Sequence, residues 1–156
     1  GLNPGKCELI VYGELNATGT GSYPITFTPS VSNSNNWYGI RVMDNAAANF
    51  EHCTIEYGYN AITLYNGATV NIADRCYIVN NACAGISRGI GATLNITNSY
   101  ISDNSTYGIH LAGTNIHMTN CTLSDNLSYG LHLSYCTGDI NHSTILFYIT
   151  GRPESQ

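Results

Sequence analysis

The sequence predicts an all-β fold, a right-handed single-stranded parallel β-helix (solenoid) of about 5–6 rungs with 22–24 residues in each. Three columns of residues predict it. A small residue followed by an aliphatic returns at Gly39-Ile40, Ala61-Ile62, Gly85-Ile86, Gly108-Ile109 and Gly130-Leu131, at intervals of 22, 24, 23 and 22. A Cys or Ser two residues before an aliphatic keeps the same period at Cys53-x-Ile55, Cys76-x-Ile78, Ser99-x-Ile101, Cys121-x-Leu123 and Ser143-x-Ile145. Alternating apolar residues recur at Val70-x-Ile72, Leu94-x-Ile96 and Ile116-x-Met118, with degenerate copies at Phe50 and Ile140.

Each column alternates with period two, which is the spacing of a strand with one face buried. Every repeat therefore carries three short strands broken by Gly, Asn and Asp. Two-residue Asn-Gly turns between alternating runs do not recur, so hairpins are not the connection. Coiling remains: each strand pairs in parallel with its copy one turn away, about 4.8 Å along the axis, and like residues stack. Between the second and third strands of a repeat stands a further column, Asn81, Asn104 and Asn126. Asn tolerates sharp bends and its amide can bond to the copy above, so these three form a structural ladder.

The pattern Asn104-Ser105-Thr106-Tyr107-Gly108-Ile109 and its copy Asn126-Leu127-Ser128-Tyr129-Gly130-Leu131 resembles the parallel β-helix repeat family of the pectate-lyase-like superfamily. The likeness covers residues from about 36 to 146. Residues 1–35, with Leu9-Ile10-Val11-Tyr12 followed by a Gly/Ser loop and Pro24-Ile25-Thr26-Phe27, resemble the entry segment of secreted members. We expect one domain over residues 1–156, with a wide entry rung at 1–35, regular rungs at 36–150 and a tail at 151–156. The resemblance implies the fold and an extracellular or cell-surface setting. It implies no single activity, since the superfamily holds lyases, hydrolases, adhesins and structural proteins.

Composition narrows the partners. Charged residues are 10% of the chain, and five Lys and Arg stand against ten Asp and Glu for a net charge of −5. No basic stripe is present to neutralise phosphates, which argues against nucleic acid. The apolar run Ile145 to Ile149 is far shorter than the roughly 20 residues of a membrane span.

Carbohydrate-cleaving relatives use clustered carboxylates, about 5–9.5 Å apart in glycoside hydrolases. The outward positions Asn49, Asn71, Asn95, His117 and Asp139 include one carboxylate. Asp103 and Asp125 stack, but each precedes a ladder Asn, where Asp is favoured as a turn residue. These residues give no catalytic set, and the reading leans away from an enzyme. His110 and His132 share a position on adjacent rungs and could meet a transition metal, but Ser87 holds the next rung and supplies no third imidazole. No metal or cofactor is expected. His110, His132, His117 and Asp139 are kept as a candidate ligand face. Tyr38, Tyr107 and Tyr129 share a column that would either stack on sugar rings or cover the rung edges.

Cys53, Cys76 and Cys121 fit as small buried free thiols, although Cys53 and Cys76 on neighbouring rungs are close enough to bridge. Cys7, Cys83 and Cys136 fall off the column with their pairing open, and no spacing among the six cysteines suggests zinc. Of the Asn-x-Ser/Thr triplets, Asn16, Asn95, Asn120 and Asn141 are candidate glycosylation positions. The last strand is apolar, and Ile145, Phe147 and Ile149 form a candidate assembly edge. The leading expectation is thus a non-enzymatic extracellular structural β-helix, a filament subunit stacking end to end or a segment of an adhesin in a larger surface protein. The alternative is a carbohydrate-binding or polysaccharide-cleaving β-helix with glycans as partners.

Overall fold

A computed structural model describes residues 6–31 and 37–146. Six rungs follow one another, each with three strands. The first contributes β1 (Cys7–Val11), β2 (Glu14–Thr18) and β3 (Ile25–Phe27), and the second β4 (Trp37–Val42), β5 (Ala47–Glu51) and β6 (Cys53–Glu56). The third holds β7 (Ile62–Leu64), β8 (Thr69–Ala73) and β9 (Tyr77–Val79), and the fourth β10 (Ala84–Arg88), β11 (Thr93–Thr97) and β12 (Tyr100–Ser102). The fifth has β13 (Tyr107–Ala112), β14 (Asn115–Thr119) and β15 (Thr122–Ser124), and the sixth β16 (Tyr129–Ser134), β17 (Thr137–Asn141) and β18 (Thr144–Ile145).

First, second and third strands of successive rungs assemble into three six-stranded parallel sheets. The expected columns set the register. Ile40, Ile62, Ile86, Ile109 and Leu131 stack in the first sheet. Phe50, Ile72, Ile96 and Met118 stack in the second, and Ile55, Ile78, Ile101 and Leu123 in the third. These side chains fill one core between the sheets, and each fully buried aliphatic contributes about 1.5–3 kcal/mol. The entry rung joins the same ladder, with Leu9 paired to Ile40 across a longer sequence interval than any later rung. Among the described residues no helix is long and apolar enough to cross a membrane.

The bends are built by residue type. The Asn ladder turns the chain from the third strand of one rung into the first strand of the next, not from the second into the third as the spacing suggested, since Asn81 lies between β9 and β10. Asn81 Nδ2 donates to Asn104 Oδ1 at 2.8 Å, and Asn104 Nδ2 donates to Asn126 Oδ1 at 2.9 Å, all three residues being buried. Asn80, Asp103 and Asp125 precede them with φ of 57, 56 and 53°, a left-handed conformation that Asn and Asp accept readily. The bend between second and third sheets uses the same device at His52, Asp74, Asn98, Asn120 and His142. A small residue is needed before the core aliphatic because the ladder passes so close. A Cβ on Gly108 would sit 2.4 Å from the Gly130 carbonyl oxygen and 2.8 Å from Asn126 Nδ2.

Of the candidate assembly edge, Ile145 lies in β18 and pairs with Leu123, while Phe147 and Ile149 lie outside the described residues, as does the tail. The six cysteines are free thiols, with Cys53, Cys76 and Cys121 buried at one corner.

Candidate binding groove on the first sheet

The outward positions of the first sheet run Arg41, Thr63, Ser87, His110, His132 in direct register. Arg41 faces outward yet is buried, because Glu8, Tyr38 and Tyr65 close over it. Its Nε donates to Glu8 Oε1 at 2.9 Å, its Nη1 donates to the Tyr65 hydroxyl, and its guanidinium lies 5.3 Å from the Tyr38 ring centre. The pair offsets the desolvation of both charges and fixes the Tyr65 ring. Thr63 and Ser87 continue the column with their hydroxyls 3.3 Å apart.

Beside this column the surface is concave. A groove of about 600 Å³ is walled by Tyr65 and Tyr107, floored by Leu64, Ser87 and Leu111, and edged by Asn60, Asn66 and His110. A second hollow of about 360 Å³ adjoins it between Tyr38, Tyr59, Arg41 and Thr63. Asn60, Tyr65 and Arg88 line both and so form the partition between them.

Arg88 is the anomaly that makes the partition. Its ladder slot lies between Leu64 and Leu111, in a column that otherwise carries core aliphatics. A φ of 72° leaves its side chain exposed instead, with the guanidinium 5.3 Å from the Tyr65 ring centre. Left-handed backbone costs a residue of this kind about 1–2 kcal/mol, a strain that the cation–π contact over Tyr65 partly offsets.

A family model described as "right handed beta helix region" matches residues 15–146. The chain belongs to this right-handed β-helix family. Neither the curated proteins nor the solved structures yield a match. Membership gives the β-helix its scaffold, and what is particular to this one must come from its own surface.

The expected ligand face divides in two. His110 and His132 stand on the first sheet with rings 4.7 Å apart and 4° from parallel, packed against Tyr107 and Tyr129. Stacked in this way, their in-plane lone pairs run side by side rather than converging on one ion. Burial, and then the neighbouring His132, holds the His110 pKa below its ordinary value, so it presents a neutral imidazole to the groove. His117 and Asp139 lie on the second sheet, exposed, with Nδ1 2.8 Å from Asp139 Oδ1. Asn115 Nδ2 lies 3.0 Å from His117 Nε2, and the arrangement in which it donates leaves the proton on Nδ1, facing the carboxylate. The two pairs belong to different sheets because successive strands of one rung turn a corner, a separation that linear spacing does not display.

The candidate glycosylation residues also have structural partners. Asn95 Nδ2 donates to Asn71 Oδ1 at 2.7 Å, Asn71 to Asn49 at 2.7 Å, and Asn49 to Asn16 at 2.6 Å, an outer amide ladder across the second sheet. Asn16 Nδ2 donates to Glu14 Oε1. Asn120 occupies a left-handed corner and donates to Asn98 Oδ1 at 2.7 Å. Asn141 is exposed at the end of β17.

Sequence reasoning missed Arg41, Thr63, Tyr65 and Arg88. For Arg88 a signal existed, since it stands two residues after Ile86 where the neighbouring rungs place Leu64 and Leu111. For Tyr65 there was none, because its position follows the strand and does not repeat as an aromatic.

Proposed function

We propose that this β-helix is a carbohydrate-binding protein that takes glycan in the groove of the first sheet. One observation carries the reading: Tyr65 and Tyr107 face a cavity of about 600 Å³ edged by amide, hydroxyl and imidazole groups. Sugar rings have apolar faces that pack on aromatic rings and a rim of hydroxyls that need polar partners, and the groove offers both. Binding without cleavage fits its chemistry. Asp44 is the one carboxylate among the residues lining the two hollows, and Glu8 is committed to Arg41, so an acid and base pair flanking a glycosidic bond is not assembled there. An extracellular or cell-surface setting, where such polymers are met, belongs to the same reading.

Affinity electrophoresis through gels containing soluble polysaccharides tests it. The chain is expected to be retarded by at least one polysaccharide, and Tyr107→Ala is expected to restore free mobility without shortening the polymer in either case. Unchanged mobility in every gel, or shortened polymer, would count against it.

A second reading, end-on self-association, is favoured by the sixth rung, where Ile140 is 39% and Leu146 53% exposed. Parallel ladders extend by adding a further rung, so the exposed apolar residues of this last described rung suit a second copy. A single monomeric mass by light scattering across a wide concentration range would dispose of it.

A further inference from the structure

If the first-sheet groove takes glycan, its lining also specifies the class of sugar. On the basis of that carbohydrate-binding reading, we infer that the groove selects a neutral oligosaccharide of at least two rings, one seated on each side of the Tyr65–Arg88 partition, rather than an acidic polymer.

Charge decides the class. The two adjoining hollows are lined by two cations, Arg41 and Arg88, and one carboxylate, Asp44. Arg41 is buried with Glu8 at 2.9 Å, so its charge is already met. Arg88 and Asp44, one charge of each sign, leave the larger hollow with no net charge, and His110 adds an uncharged imidazole. A row of carboxylates on a polymer would meet a single exposed cation, Arg88, in a hollow of no net positive charge, and it would approach a chain of net charge −5. Among the described residues no group of three or more His, Cys, Asp or Glu gathers to hold a metal ion that could bridge an acidic sugar to the surface. The aromatic walls are uncharged: Tyr38 stacked on Tyr59 at 4.8 Å in the smaller hollow, and Tyr65 and Tyr107 in the larger.

Geometry decides the length. The hollows, about 360 and 600 Å³, meet at Asn60, Tyr65 and Arg88 and are otherwise lined by different residues. A single ring can occupy one. Two linked rings occupy both, and the link then passes Arg88, whose guanidinium can donate to ring or bridging oxygens.

Isothermal titration of the full chain with neutral oligosaccharides of one to six units, and with oligogalacturonates with and without calcium, tests the inference. Affinity for a neutral series is expected to rise at least about tenfold from one ring to two or three, and to be indifferent to added salt. Arg88→Gly is expected to lower that affinity about tenfold, the loss of charge-assisted hydrogen bonds. It should leave the melting temperature unchanged or higher, because Gly suits a φ of 72°. Tighter, salt-sensitive binding of the galacturonates would overturn the neutral class while leaving the groove a carbohydrate site. Equal affinity for one ring and for longer chains, or an unaltered Arg88→Gly, would overturn the two-ring partition. Failure of every sugar of both classes would overturn the carbohydrate-binding reading itself.

Discussion

Asn104 shows how much one buried side chain can hold. Its Oδ1 accepts from the backbone and side-chain nitrogens of Asn81, and its Nδ2 donates to Ile78 O and Asn126 Oδ1. Asn104→Ala strands these partners in a dry corner, and unsatisfied buried groups cost about 1–3 kcal/mol each. A loss of about 2–5 kcal/mol in urea unfolding is expected, against under about 1 kcal/mol for Asn95→Ala on the half-exposed outer ladder. His110 supplies a pH response of definite sign. Its folded pKa lies below the ordinary 6.5 through burial and the adjacent His132. Above 6.5 both states are neutral and the group contributes nothing; as pH falls toward the lower folded value, the unfolded chain takes the proton first and stability declines. Thermal unfolding scanned from pH 8 to pH 5 should show that decline, and His110→Gln should flatten it. At this scale the inner Asn ladder was legible because three rungs repeat it. Arg88 was legible only as the exception to its column, two residues after Ile86 where Leu64 and Leu111 stand in the neighbouring rungs, while its left-handed backbone is invisible in the letters.

Elements inherit their limits from these residues. The strand opening with Tyr107 and Gly108 runs against the ladder so closely that a Cβ on Gly108 would meet Gly130 O at 2.4 Å, so Gly108→Ala should lower the melting temperature by several degrees, measured by circular dichroism. At the opposite corner, hydrogen bonding to Cys76 and burial push the Cys53 thiol far above its usual range, and burial raises Cys121. Brief treatment with iodoacetamide should label exposed Cys7 and spare Cys53, Cys76 and Cys121 until denaturant is added, as peptide mass spectrometry would show. The strands and their registers were readable because each core column returns on a fixed clock. The bend between second and third sheets was not recognised, although His52, Asp74, Asn98, Asn120 and His142 stand there one per rung. Their chemistry is mixed, and what they share is a backbone conformation rather than a side chain.

On the scale of the whole molecule, three sheets give three faces of different character. The second carries the outer amide ladder, whose members bond to one another, and the first is hollowed between Tyr65 and Tyr107. Stacking explains both: the same repetition that builds a regular ladder leaves a groove wherever one rung departs from the pattern, as Arg88 does between Leu64 and Leu111. Spacing along the chain could group His110 with His117 and Asp139, but only the fold shows that a corner separates them. Whether function resides on the first sheet is tested most directly by nuclear magnetic resonance of isotope-labelled protein titrated with a neutral oligosaccharide. Shift changes confined to Thr63, Tyr65, Ser87, Arg88, Tyr107 and His110 are expected. Changes centred on Asn71, Asn95 and His117 of the second sheet, with the groove unmoved, would refute a first-sheet site.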